Sequence, residues 1–290
     1  MRGGGDVVSE SSTTDRSRRP EVHIRPPHGL GLGNIAEIIH HRRLVRSMAW
    51  RRVRARFDNL YLGVFWASAR PLLMTFVFVF IKHVSEAKMG GGVPYAAFVF
   101  SGLVLWFYLA GSIGETARAL ERDAGLVRKV YFPRLVSPVT PMIANLIEIA
   151  IGALVVLAMM VYYDLWPGWR FALLPLVLLQ TMAMILGVGL VFAALNLMSR
   201  DWDQLLGLIL YIGLFMSPIL YGPERIPEAV RGLYYLNPAA GTLMALRSCL
   251  FESMPFPVGQ WAYSVGFSLV VLLLGLFLFR RVEHRLLDQL

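Results

Sequence analysis

Apolar residues in this chain gather into long runs, divided by short basic or proline-rich stretches. Six runs are expected to cross a bilayer, which takes about 20 residues per helix. They lie at about Leu60–Ile81, Tyr95–Arg118, Leu135–Tyr163, Phe171–Met198, Leu205–Tyr221 and Val258–Phe279, the fifth being short. Lipid offers no hydrogen bonds, so each run must satisfy its own backbone as a helix. The expected fold class is therefore all-α and membrane-integral, with one six-span domain over 58–290.

Two flanking patterns differ from these runs. In Asn34–Phe57, Asn34 and Glu37 have the spacing of a capping box. Ile35, Ile38, Ile39, Val45, Ala49, Trp50, Val53 and Phe57 fall on one helical face, and Arg43, Arg51, Arg52 and Arg54 fall elsewhere. That predicts an amphipathic helix in the membrane interface, with arginines towards lipid phosphates. Gly222–Pro257 is apolar in patches but broken by Pro223, Pro227, Pro238, Pro255 and Pro257. Broken backbone at membrane depth needs cover from protein or a water-filled cavity. The expectation is two short re-entrant helices hinged at Asn237–Pro238, with a plain external loop as the other reading.

Composition agrees with the pattern. The chain is 56% hydrophobic and only 16% charged, with a mean hydropathy of +0.57. Of its 28 Lys and Arg residues, 21 fall in segments placed inside, six outside and one within a span. This asymmetry places both termini in the cytoplasm. It also accounts for the net charge of +9 without nucleic acid, and gives membrane lipids as partners. Met1–Gly33, rich in Gly, Ser, Thr, Arg and Pro, reads as a disordered cytoplasmic tail. No secretory leader is expected, because the first apolar run begins near Leu60. One cysteine, Cys249, excludes an internal disulfide and a multi-cysteine metal site.

Little catalytic chemistry is visible. There is no GxxxxGK[ST] phosphate loop and no HExxH, and adjacent His40 and His41 diverge on a helix. No cofactor or metal is expected in this chain, and no catalytic residue. One ionisable pair is set at depth, Arg70 with Glu148. Pro71–Ile81 makes only about 16 Å of helix, so the first span must start near Leu60 and carry Arg70 to mid-depth. A cation there should face a partner or an aqueous path. A structural ion pair with Glu148 and a pore-lining role fit equally. Tyr61, Phe65, Trp66, Tyr211, Phe215 and Tyr221 are the aromatic candidates for a pore wall, against ordinary packing.

The charged stretch Leu120–Pro138, LERDAGLVRKVYFPRLVSP, sits between two apolar runs. Leu126, Val127, Arg128, Lys129, Tyr131, Phe132 and Arg134 there suit a docking element, or alternatively an ordinary positive-inside loop. The run LVRKVYFPR resembles the loop between the second and third spans of ABC-type polysaccharide export permeases. Further resemblance lies in LGVFWASARPLL, VPYAAFVFSGLVLWFY, LNLMSRDWDQLL, MSPILY and LNPAAGTLMALR, so that it covers about Arg54–Arg247. It implies that 119–134 couples to a separate ATP-binding subunit, which holds ATP and magnesium. It implies a homodimer bound to two such subunits in a bacterial inner membrane, exporting a lipid-linked, O-antigen-like polysaccharide. A six-span chain without an internal repeat also makes only half of a two-fold pathway. Where the family reads much like WALLQP, this chain has Ala67, Ser68, Ala69, Arg70 and Pro71. Export of a small hydrophobic molecule or lipid, and a membrane-embedded glycosyl or acyl transferase, are the alternative functions.

Overall fold

The computed structural model describes residues 41–57, 63–84, 92–127, 134–222, 226 and 228–287. The expected tail 1–33, the capping pair Asn34 and Glu37, and Ile35, Ile38 and Ile39 lie outside these residues. Among the described residues every regular element is helical.

Helix α1 is Arg42–Phe57 and α2 is Gly63–Val84. Helix α3, Tyr95–Ala117, is the centre of the bundle and packs against most of the other helices. Its sequence is apolar or small on every side, and a helix of that kind is stable only when surrounded. Helix α4, Ala119–Val127, follows after a single turn residue, Arg118. Helices α5, Val136–Ala144, and α6, Leu146–Tyr162, share the expected third span. Pro141 withholds one helical donor inside α5. Asn145 marks the break and donates from Nδ2 to Ser112 Oγ at 3.1 Å. The span expected over about Leu135–Tyr163 is present as Val136–Tyr162, with Asn145 as a single turn residue inside it.

A 3-10 turn, Trp169–Leu173, leads into α7, Leu174–Asn196. Helix α8, Asp201–Met216, begins four residues before the expected Leu205 and stops at Ser217–Pro218. Proline drives the residue before it into extended backbone, and Ser217 has ψ 154°. Helices α9, Glu228–Tyr235, and α10, Pro238–Leu250, meet at Asn237. The Asn237 carboxamide oxygen accepts from Ala239 N–H at 3.0 Å, and Pro238 occupies the first helical position. That is a strong local start signal. Helix α11, Val258–Leu287, closes the described chain.

Four helical stretches among the described residues are long and apolar enough to cross a membrane. They are Tyr95–Ala117, Val136–Tyr162, Trp169–Asn196 and Val258–Arg281. Their outward faces are apolar, as at Leu154 and Val161 on α6 and Val270 and Leu273 on α11.

The most extensive pairing joins α7 to α11. A Cβ on Gly187 would lie 2.6 Å from the Leu272 backbone nitrogen, and one on Gly275 would lie 2.6 Å from the Gly187 carbonyl oxygen. Close approach of small residues is how helices associate where water gives no hydrophobic drive. The same pair shares a polar knot with α10. Gln180 Nε2 donates to Ser268 Oγ at 2.8 Å, and Thr242 Oγ1 donates to Gln180 Oε1 at 3.2 Å. Gly187→Val is expected to push the backbones apart at a cost of about 1–3 kcal/mol. A fall in the melting temperature of the detergent-solubilised chain would register it, and an unchanged melt would contradict the contact.

Candidate functional site

Two constellations stand out, one at each end of the bundle. The first surrounds α4. Leu120 packs into a small core with Leu135, Leu190, Ala193, Leu276 and Phe279, so the helix is seated on α5, α7 and α11. Its carboxylate, Asp123, accepts from Arg52 of α1 at 2.9 Å and from the Ser137 hydroxyl of α5. Ser137 Oγ also lies 3.0 Å from the Ala119 carbonyl oxygen. Arg52 and Asp123 are both largely buried, with side chains 19% and 13% exposed. Burial lowers the Arg52 pKa, and the facing Asp123 charge opposes that shift. The pair is shielded enough to matter, unlike an exposed surface bridge.

Neighbouring contacts extend the seat. Thr116 Oγ1 donates to the Pro138 carbonyl at 3.1 Å, and Asn196 Nδ2 to the Ala117 carbonyl at 3.3 Å. Arg118 Nε donates to Asp203 at the start of α8 at 2.7 Å. Helix α4 and its hinge are thus fastened to α1, α5, α7 and α8. Of the docking candidates, Leu126 and Val127 end α4, and Arg134 is half-buried in the turn before α5. Arg128, Lys129, Tyr131 and Phe132 lie outside the described residues. Arg52, expected to face lipid phosphates, instead pairs with Asp123, and Asp123, Ser137 and Asp203 were not singled out by sequence. Asp123 is an acid in a basic stretch, which is a faint signal. Its partner is 71 residues away, at a distance no local pattern reports.

The second constellation is built on Arg247 of α10, only 1% exposed. Its guanidinium donates to the Phe98 carbonyl of α3 at 3.0 and 3.2 Å, to the Ile219 carbonyl at 3.1 Å and to the Pro218 carbonyl. It also lies over the Phe98 ring, 3.6 Å from the centroid. Gly102, one turn along α3, leaves the space that the guanidinium fills. The planar fork of five donors suits this convergence of carbonyls better than an ammonium would. Asn237 adds a second tie at the same end. Its Nδ2 donates to Ser217 Oγ at 3.0 Å, joining the α9–α10 hinge to the end of α8. The hinge residues Asn237 and Pro238 thus sit against the turn that stops α8.

The remaining candidates are dispersed. Arg70 is exposed on α2, its guanidinium carbon 5.6 Å from the centre of the Phe107 ring. Glu148 is half-buried in the first turn of α6, and no ion pair joins it to Arg70. Tyr211 and Phe215 are exposed one turn apart on α8, with ring centroids 5.7 Å apart. Phe65 and Trp66 belong to the first turn of α2, and Tyr61 lies outside the described residues. The candidate Tyr221 gathers near the α9–α10 hinge with Tyr234 and Tyr235, which were not singled out from sequence.

Long apolar helices around a largely buried central helix define a polytopic membrane protein. The chain belongs to the ABC-2 type transporter family, whose model matches residues 43–251, from α1 to just past α10. It is 28% identical over 220 residues to the O-antigen export system permease protein RfbA of Myxococcus xanthus, covering 75% of this chain and 84% of that protein. It is 24% identical over 242 residues to an O-antigen export system permease protein RfbA of Klebsiella pneumoniae, covering 82% and 91%. Against the polysialic acid transport protein KpsM of Escherichia coli it is 26% identical over 256 residues, covering 84% and 95%.

Proposed function

We propose that this chain is the membrane subunit of an exporter that moves a lipid-linked, O-antigen-like polysaccharide out of the cytoplasm across a bacterial inner membrane. The carrying observation is the ABC-2 match through α1–α10, together with similarity to O-antigen permeases over most of both chains. ATP and magnesium belong to a separate subunit, and two copies of each chain form the working complex. In this reading α2 and α8 complete six spans, both termini are cytoplasmic, and α9–α10 re-enter from the outer side. Helix α8 has 16 residues, about 24 Å of helix, and therefore sits in a locally thinned or protein-covered region.

The exposed stripe Arg70, Leu73, Val77 and Phe80 on α2 supports the two-fold assembly, as do Leu208, Tyr211 and Phe215 on α8. Facing such stripes across a two-fold axis would bring Arg70, Tyr211 and Phe215 to the pathway. A cation among rings suits an anionic polymer or a lipid diphosphate, since sugar C–H faces stack on aromatic rings.

The test is purification with and without the ATP-binding subunit, followed by hydrolysis measured with and without lipid-linked polymer. Stimulation by polymer is expected, and polymer-insensitive turnover would count against the substrate reading. Replacing Tyr131 and Phe132 together with Ala is expected to strip the ATP-binding subunit while membrane insertion holds. Aromatic anchors of this kind commonly contribute about 2 kcal/mol or more each to binding. Unchanged co-purification would sink the docking role.

A further inference from the structure

A groove of about 600 Å³ runs between α1 and the α5–α6 break. Arg42 and Arg46, one turn apart, form its rim, with Trp50 a turn further on. Val45 and Ala49 make a buried floor, and Ile143 and Ile147 form the opposite wall. Arg42, Arg46 and Trp50 are exposed, Trp50 by 60%. Neither rim arginine has a side-chain partner among the described residues.

Helix α1 carries seven arginines and no acid in 16 residues. The Arg52–Asp123 pair relieves part of that charge. The groove thus offers two chemistries at once. Guanidinium groups bind phosphate oxygens in bidentate fashion, and an indole favours the boundary between headgroups and acyl chains. An apolar floor between two helices accepts hydrocarbon. A soluble anion would leave the floor empty, and a neutral lipid would leave the rim unpaired.

We propose that this groove holds one anionic phospholipid, its phosphodiester between Arg42 and Arg46 and an acyl chain along Val45, Ala49 and Ile147. The proposal rests on α1 lying at the membrane interface, and it does not require the transport reading.

Native mass spectrometry of the full chain, titrated with phosphatidylglycerol or with phosphatidylcholine of the same acyl chains, tests it. One phosphatidylglycerol should be retained in preference to phosphatidylcholine. Arg42→Gln with Arg46→Gln should weaken retention about ten-fold or more, since each basic residue near an anionic headgroup matters on that scale. Arg43→Gln with Arg51→Gln removes the same charge from the helix outside the groove and should change little. Ile147→Trp fills the groove with every arginine in place and should also lose the lipid. Equal loss in both arginine pairs would mean diffuse attraction and overturn the site. So would equal retention of phosphatidylcholine, or preference for a polyprenyl diphosphate over phosphatidylglycerol. Retained lipid in a chain whose ATPase ignores polymer would uphold this site while counting against the export proposal.

Discussion

Arg247→Met is expected to destabilise the chain by about 2–5 kcal/mol and to abolish export. Methionine keeps the length of the side chain and removes every donor. The Phe98 carbonyl remains an acceptor in the helical ladder of α3. The Pro218 and Ile219 carbonyls belong to a turn and lose a charged donor in a buried place. Each unsatisfied buried group costs about 1–3 kcal/mol. Against this, methionine removes the penalty of burying a cation that has no carboxylate in contact, which limits the net loss. The lost carbonyl contacts should win because this one fork ties three segments together, α3, the α8 turn and α10. Arg247→Lys should fall between, since an ammonium cannot span all three acceptors. Gly102→Ala should resemble Arg247→Met, because the added methyl would collide with the guanidinium. Thermal melts and export assays of the three variants decide the matter. A wild-type melt with normal export for Arg247→Met would refute the clamp.

Asp123→Ala is the second large effect. The carboxylate serves Arg52 and Ser137 together, so its removal frees α4 from both α1 and α5. Hydrogen bonds to charged groups are worth about 1.5–3 kcal/mol, and Arg52 would be left without its facing charge. The ATP-binding subunit should still bind, since docking is proposed for Leu126–Arg134, while polymer stimulation of its hydrolysis should fall. Arg52→Ala combined with Asp123→Ala should give a coupling energy above about 1 kcal/mol in a double-mutant cycle. Strictly additive effects, or normal stimulation in Asp123→Ala, would show that α4 needs no such tie.

What the sequence displayed was the part written in short-range pattern. Apolar runs placed the spans Tyr95–Ala117, Trp169–Asn196 and Val258–Arg281 to within a few residues, because lipid enforces length and composition together. Asn237–Pro238 announced a helix start through local capping chemistry, and the structure has that cap. The break at Asn145 was hidden, because a single polar residue between apolar stretches looks like any satisfied residue within a span. Trp50 was read on the membrane-facing apolar side of α1 and is exposed on the protein surface, while Met48 is buried. The packing partner α5 lies to one side of the pattern's apolar centre. Arg247 looked like one charge in a broken segment. Its acceptors are backbone carbonyls up to 149 residues distant, which no side-chain pattern encodes. Arg70 was read as either a partner of Glu148 or a pore-lining cation, and in the single chain it is exposed beside Phe107.

The close fit of Gly187 against Gly275 bears on which parts can shift. Backbones in direct contact have no layer of side chains to slide on, and the Gln180 knot pins α10 to the same pair. Helix α8 leans on the bundle through a narrow strip, Leu206, Leu210 and Leu214, with Gly213 against Trp106. The molecule therefore divides like a machine into a stator, α7 with α10 and α11, and a lever, α8, whose two ends are held by Asp203 and by the turn at Ser217. Arg118 joins the hinge of α4 to the near end of that lever through Asp203, so the lever and the cytoplasmic loop share one fastening.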